Sequence, residues 1–287
     1  MQPDSITGTR VRLLVRHFST PSAGKTVSFW GMRCRFGPHG DCSFVDGEGA
    51  GSFRIHFKNK TIEWKRPPGD LSGWAKIFFR GRVLGLVLSH LPNFVVLHAN
   101  VIARSTQAIF LLGPAGCGKS TLTASFLNAG FSLLSDDLAV VRLVDDSLVV
   151  EPGIPEIRLW PQSLVLKPAD IRDERLYSGI TKRRLFLSDD GPWRFGENPL
   201  PPGGLYLLSR KRRGKIRIET VHGKEKLMGI LQNVYTPLIQ DAAVLENQFE
   251  MVARLVKAIP VRRVIYPSGI DCLDAVRRAL LDDSTPS

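Results

Sequence analysis

Read from its hydrophobic and polar positions alone, the chain changes character near residue 93. Up to residue 66, short apolar runs alternate with glycine, proline and polar breaks. Arg10 to Phe18, Thr26 to Trp30, Ser52 to Phe57 and Thr61 to Trp64 read as strands of a small β-rich module over residues 1–68. Pro67-Pro68-Gly69-Asp70 punctuates it. Asp70 or Ser72 is then placed to cap an amphipathic helix running to about Leu91, a connecting segment over 69–92. From Phe94 the apolar runs lengthen. Phe94 to Ala103 and Ala108 to Leu112 read as adjacent strands joined by the polar turn Arg104-Ser105-Thr106. Ser120 to Gly130 reads as a helix with a glycine cap, and Phe131 to Val141 as one strand carrying two consecutive carboxylates. Later strands are predicted at Gly204 to Leu208, Lys215 to Val221 and Pro260 to Tyr266. Helices are predicted at Lys224 to Val234, Ala242 to Ala258 and Ile270 to Leu281. This alternation predicts an α/β domain over residues 93–283.

Composition adds limits. The chain has 287 residues, 43% hydrophobic and 23% charged, which is the make-up of a globular protein with an ample core. Met1 to Ser5 carries no basic stretch followed by an apolar one, so no secretory signal is expected. The most apolar window, Val83 to Ala103, contains His90, Pro92, Asn93, His98 and Asn100, too polar for a membrane span. The expected location is cytoplasmic, with no membrane partner. Cys34, Cys42, Cys117 and Cys272 form no metal-ligand or disulfide pattern.

The net charge of +12 is uneven, because residues 1–90 hold 14 Lys/Arg against 6 Asp/Glu. Arg10, Arg12, Arg16, Arg33, Arg35, Lys58, Lys60, Lys65 and Arg66 suggest a basic face able to meet an acidic partner, with solvated surface charge as the plain alternative. Nucleic acid is not the expected partner, since no helix-turn-helix, zinc-finger or RNA-binding-sheet signature accompanies the charge.

The candidate chemistry begins at Gly113-Pro114-Ala115-Gly116-Cys117-Gly118-Lys119-Ser120, which fits Gly-x-x-x-x-Gly-Lys-Ser/Thr between a strand and a helix. Small residues let the backbone wrap a polyphosphate, and the next helix, with Thr121 in its first turn, presents its positive end to the same anion. Lys119 would reach the β/γ-phosphates, and Ser120 would hold a Mg²⁺ that bridges phosphate oxygens. Cys117 is either a tolerated small residue or a thiol activated by Lys119.

Asp136 and Asp137 follow in an apolar run that leaves little room for a turn. By the alternation of a strand they should face different ways, one holding Mg²⁺ and one accepting the proton of an attacking hydroxyl. Asp145-Asp146, between two apolar runs, reads as an ordinary hairpin turn. Glu156 and Arg158 fall on one side of an extended segment, suited to a metal ligand and a phosphate clamp or to a surface ion pair.

The order Leu97-His98, Gly113 to Ser120, Leu134-Ser135-Asp136-Asp137 and Glu156-Ile157-Arg158 resembles the HPr kinase/phosphorylase family and its HPr-kinase-like relatives, over residues 94 to 160. The resemblance implies the phosphate-loop fold of the HPr kinase and phosphoenolpyruvate-carboxykinase type. It also implies an ATP- and Mg²⁺-dependent serine kinase. Lys119 would stabilise the transferring phosphate, Ser120 and Glu156 would hold Mg²⁺, one of the two aspartates, Asp137 ahead of Asp136, would serve as base, and His98 would sit beside it. A basic catalytic residue is implied in a later loop, where Lys182-Arg183-Arg184 is the candidate cluster, Arg183 or Arg184 is the residue, with Arg183 named first, and Arg194 competes. Leu159-Trp160-Pro161 departs from the Gly-rich continuation of true HPr kinases, which removes the ground for a phosphorylase activity or an HPr substrate. The N-terminal third is closer to the HPr-kinase-like proteins that phosphorylate a serine of lasso-peptide precursors. A peptide or protein acceptor, acidic in character, and further copies of the chain are the expected partners. A regulatory ATPase and a small-molecule kinase remain as alternatives.

Overall fold

The computed structural model describes residues 5–6, 9–10, 12–15, 25–29, 32–36, 42–47, 50–57, 59–66, 75, 78–177, 180–235 and 241–283. Two compact units divide the chain: residues 1–92 with 235–247, and residues 93–234 with 248–287. Of the described residues, 75, 78–92, 235 and 241–247 fall in the first unit.

In the first unit, β1 (Ser5–Ile6) pairs with β2 (Thr9–Arg10). A six-stranded sheet contains β3 (Arg12–Val15), β4 (Lys25–Phe29), β5 (Met32–Phe36), β6 (Cys42–Gly47), β7 (Gly51–His56) and β8 (Thr61–Lys65), in the order β3-β8-β7-β6-β5-β4. β5 and β6 were not predicted, because arginine, cysteine and glycine interrupt their apolar pattern. Hairpin pairing to β4 and β7 supplies what the pattern lacks. On β7 and β8 the period of two is plain: Phe53, Ile55, Ile62 and Trp64 are buried, while Arg54 pairs with Glu63 at 3.0 Å. Trp64 stacks on Phe53 at 5.8 Å and its Nε1 donates to the Ala50 carbonyl at 2.9 Å.

The expected amphipathic helix is corrected. A π-helical turn, Phe79–Val83, leads into α1 (Leu84–Ser89), and every residue of α1 is buried. Leu-Gly-Leu-Val-Leu-Ser offers no polar face, so this segment is a core helix. The capping candidates Asp70 and Ser72 lie outside the described residues, as do the side chains of Arg10, Arg12, Arg16, Arg33 and Arg35 and the tail 284–287.

The second unit is mixed α/β. Its strands and helices run β9 (Phe94–Leu97), β10 (Ala99–Arg104), β11 (Gln107–Leu112), α2 (Lys119–Asn128), β12 (Ser132–Ser135), β13 (Ala139–Val144), β14 (Ser147–Glu151), β15 (Glu156–Leu159), β16 (Asp173–Tyr177), β17 (Ile180–Phe186), β18 (Arg194–Phe195), β19 (Pro202–Lys211), β20 (Arg217–Thr220), α3 (Gly223–Leu231), α4 (Ala242–Ala258), β21 (Val261–Pro267) and α5 (Leu273–Asp283). The first residues of α4, up to Asn247, group with the first unit. A seven-stranded sheet has the order β18-β12-β10-β11-β19-β21-β20, with β11, β19 and β21 parallel at its centre.

Alternation along β11 covers both faces of this sheet. Ala108, Phe110 and Leu112 pack with Ile230 of α3 and with Met251, Val252 and Leu255 of α4, together with β9 and β13. Ile109 and Leu111 pack instead with Leu122 and Phe126 of α2 and with Val276 and Leu280 of α5. A smaller sheet, β15-β17-β16, closes over the outer side of α2 through Ile157, Leu159 and Leu185, with Trp193 in the same cluster. No described helix is long and apolar enough to cross a membrane.

Two predicted strands are each broken in two. The run from Phe94 to Ala103 divides at His98: Leu97 pairs with Ala139 in one sheet, and Ala99 pairs with Leu112 in another. Phe131 to Val141 divides at Asp136–Leu138, where Asp137 has φ 67 and the Leu138 amide donates to the Asp136 carbonyl at 2.9 Å. That is a γ-turn, and the turn excluded on sequence grounds is present. The strand alternation argued for the two carboxylates therefore does not apply to them. Asp145-Asp146 forms the expected hairpin turn, with φ 46 and 60.

Candidate functional site

Three segments converge at the carboxyl end of β11. The glycine loop 113–118 leaves β11 and enters α2 directly, with Gly113, Gly116 and Gly118 at φ 144, 79 and 103. At Gly113 and Gly118 this region is needed for space as well as conformation: a Cβ would lie 2.9 Å from the Leu208 carbonyl oxygen and 2.7 Å from Tyr266 Oη, respectively. Pro114, Ala115 and Gly116 form the exposed crest, while Cys117 and Lys119 are buried. Tyr266 Oη donates to the Cys117 carbonyl at 2.6 Å and the Gly113 amide donates to Asn233 Oδ1 at 3.2 Å, so the loop is fixed from two sides.

Lys119 curls back on this loop, donating to the Gly113 carbonyl at 2.6 Å. Burial pulls its ammonium below the ordinary lysine value, against the opposing pull of Asp137 and Asp136. Burial also pushes the Cys117 thiol up, against the opposing pull of the Lys119 and Arg210 charges. Thr121 Oγ1 lies 2.8 Å from Ser163 Oγ and ties the first turn of α2 to the 3₁₀ turn Pro161–Leu166.

The second segment is the turn Asp136–Leu138. Ser120 Oγ donates to Asp136 Oδ1 at 3.3 Å, Asn100 Nδ2 donates to the same oxygen at 2.6 Å, and the Arg158 amide donates to Asp136 Oδ2 at 3.0 Å. Burial first, and the neighbouring Asp137 second, push the Asp136 carboxyl up to about 7. Asp137 points elsewhere, 3.4 Å from Arg158 Nη1, with its side chain 26% exposed. His98 meets Asp137 through the backbone, its Nδ1 donating to the Asp137 carbonyl at 3.1 Å, while the His98 amide donates to the Asn233 carbonyl at 2.7 Å. The ring thus holds the strained turn in place.

The third segment is the small sheet. Glu156 and Arg158 share one face of β15, as the period of two predicts, and pair at 3.2 Å. Arg184, opposite Arg158 on β17, reaches Glu156 Oε2 at 3.5 Å and Glu174 at 2.9 Å, and Arg172 adds to Glu174. A chain of alternating charges therefore runs Asp137, Arg158, Glu156, Arg184, Glu174. The three carboxylates around Arg158, Asp137 first, keep its guanidinium ionised despite its burial. Arg183 is turned the other way by strand alternation, with its Nε and Nη2 each 2.6 Å from Asp173 Oδ2. The structure thus brings Arg184 to the site's charge network and seats Arg183 in an ion pair outside it. Arg194 lies on β18 at the far edge of the large sheet.

For Mg²⁺, the donor set that fits is Ser120 Oγ with Asp136, two hard oxygens at the mouth of the glycine loop. Glu156 does not join them, since both its oxygens are held by guanidinium groups. Among the described residues, no group of three or more His, Cys, Asp or Glu side chains stands together for a metal.

Sequence reasoning passed over Asn100, Asn233 and Tyr266. Asn100 is fully buried and also donates to Thr123 Oγ1 at 3.1 Å, with its own Oδ1 left unpaired. An asparagine within the apolar run Phe94 to Ala103 was the available signal, since a buried amide is retained only with polar partners.

A comparison with protein-family models gives no match, and a comparison with curated proteins gives none. Among solved structures, the chain is similar to the Hpr(Ser) kinase/phosphatase from Coxiella burnetii, with 14% identity and a TM-score of 0.33 over 66% of this chain and 99% of that one. A likeness of this degree carries no weight for the chemistry, which rests on the residues above.

Proposed function

We propose that this chain is an ATP- and Mg²⁺-dependent kinase that transfers the γ-phosphate to a serine hydroxyl of a peptide or protein. The observation that carries the reading is the meeting of Ser120 with Asp136 at the mouth of a glycine loop that also holds Lys119. This brings a phosphate cradle, a metal-binding oxygen pair and a second carboxylate to one place. The phosphate-loop character of the domain, and its kinship to the HPr kinase type, belong to the same proposal.

Lys119 would leave the Gly113 carbonyl for the phosphates, exchanging a neutral acceptor for a charged one. Mg²⁺ held by Ser120 and Asp136 would supply positive charge to the phosphate oxygens. The two carboxylates divide the work by their contacts. Asp136 accepts hydrogen bonds on both oxygens and is a holder. Asp137 is more open, and we assign it to take the proton of the acceptor hydroxyl as that oxygen bonds to the phosphorus and ADP departs. Arg158 orients Asp137 through its ion pair. The serine acceptor is what the resemblance to the HPr kinase/phosphorylase family implies, a resemblance carried by the motif order His98, Gly113 to Ser120, Asp136-Asp137 and Glu156 to Arg158.

The test is incubation with γ-labelled ATP, Mg²⁺ and the peptides encoded beside the gene, comparing wild type with Asp137→Asn. Label on a serine with wild type alone supports the reading. Hydrolysis without a labelled acceptor would identify an ATPase, and label on a metabolite would identify a small-molecule kinase.

A further inference from the structure

The arginines nearest the carboxylates are already neutralised: Arg158 by Asp137 and Glu156, Arg184 by Glu156 and Glu174, Arg183 by Asp173. Arg210 differs from all of these. It is exposed, and among the described residues no carboxylate stands within ion-pair distance of it.

Its position follows from the sheet. β11 and β19 are parallel neighbours with Leu112 opposite Leu207, so the glycine loop and the end of β19 emerge at the same edge. Arg210 lies just beyond, still on β19 and in register with Tyr266 of β21, the residue whose hydroxyl holds the glycine loop. Its Nη1 is 4.0 Å from where a Cβ on Gly118 would stand, beside the first residue of α2. The backbone is anchored here as well, for the Lys211 carbonyl accepts from both the amide and the hydroxyl of Ser268, at 2.8 and 3.0 Å. The guanidinium is thus carried by a fixed strand. Its field already acts on the loop, opposing the upward push of burial on Cys117 and Tyr266.

We propose that Arg210 is a second cationic ligand of the polyphosphate taken by the glycine loop, entering from β19 while Lys119 enters from α2. This rests on the nucleotide reading above. A guanidinium offers paired donors that match phosphate oxygens, which a carboxylate-free position leaves available.

The test is binding of ATP, ADP and adenosine by titration calorimetry to wild type, Arg210→Ala and Arg212→Ala. Arg212 is an exposed cation of the same turn that serves as a control for general charge. Arg210→Ala should weaken ATP and ADP about ten- to hundredfold, as loss of a charge-assisted contact does, with adenosine unchanged. Arg212→Ala should stay within about twofold of wild type, a loss far smaller than that of a specific contact. Unchanged ATP and ADP affinity in Arg210→Ala, or an equal loss in Arg212→Ala, would overturn the proposal while leaving the nucleotide reading intact. A wild-type protein that binds neither ATP nor ADP would remove both.

Discussion

Asn100 Nδ2 donates to Asp136 Oδ1 at 2.6 Å, joining a buried strand residue to the turn carboxylate that also meets Ser120. The amide sets the direction of Asp136 before any ligand arrives. Asn100→Ala should therefore lower kcat about ten- to hundredfold, the usual cost of losing a group that orients a metal-binding residue, and should raise the Mg²⁺ concentration needed for half-maximal rate. Stability should change less than activity, because the substitution also removes the unpaired Asn100 Oδ1. Steady-state kinetics across a Mg²⁺ series and a urea titration would separate the two.

The two aspartates should fail in different ways. Asp137→Asn should reduce kcat by about a hundredfold or more while ATP affinity is kept, since a proton acceptor acts in the chemical step. Asp136→Asn should weaken the binding of Mg²⁺-ATP itself. Equal effects of the two substitutions on nucleotide affinity would contradict the division of roles.

The raised Asp136 carboxyl gives a pH dependence with a definite sign. Its folded value of about 7 lies above the ordinary 3.8, so between these limits the unfolded chain has lost the proton that the folded chain keeps. Stability from this group is fully present below about pH 4. It is lost as pH rises towards 7, by an amount on the order of a few kcal/mol. The stability of Asp136→Asn minus that of wild type should therefore grow from pH 5 to pH 7.5 in ligand-free denaturant titrations. A difference that stays flat across this window would refute the assignment.

Glu156 is shared by two arginines and is 8% exposed at its side chain. Glu156→Gln should cost about 3 kcal/mol in urea unfolding, because it leaves Arg158 and Arg184 short of a counter-charge in a buried place. Removal of the acid should not abolish Mg²⁺ dependence, since the metal pair proposed here is Ser120 and Asp136.

Gly118→Ala tests the loop. With φ at 103 and Tyr266 Oη 2.7 Å from the new Cβ, the substitution should cost about 1–3 kcal/mol and loosen the loop, measurable as faster amide exchange at Lys119 and Ser120.

Much of the site was legible as spacing. Gly113 to Ser120 is contiguous, so its order of strand, loop and helix follows from local rules, and Glu156 with Arg158 follows from a period of two. The hairpin turn at Asp145-Asp146 and the helix Ala242–Ala258 were legible for the same reason. The sequence by itself determined the glycine loop between a strand and a helix, the presence of two acids after it and an α/β pattern from residue 93. Tertiary structure alone decided that Asp136 and Asp137 lie in a turn, that His98 divides two sheets, that Arg184 and not Arg183 enters the charge network, and that Asn100 and Arg210 stand beside the loop. Each of these depends on which sheet a strand joins and on which neighbour meets it there. Hydrophobic period reports only that a face is buried, and pairing across 36 residues, as between Asn100 and Asp136, leaves no local mark in the chain.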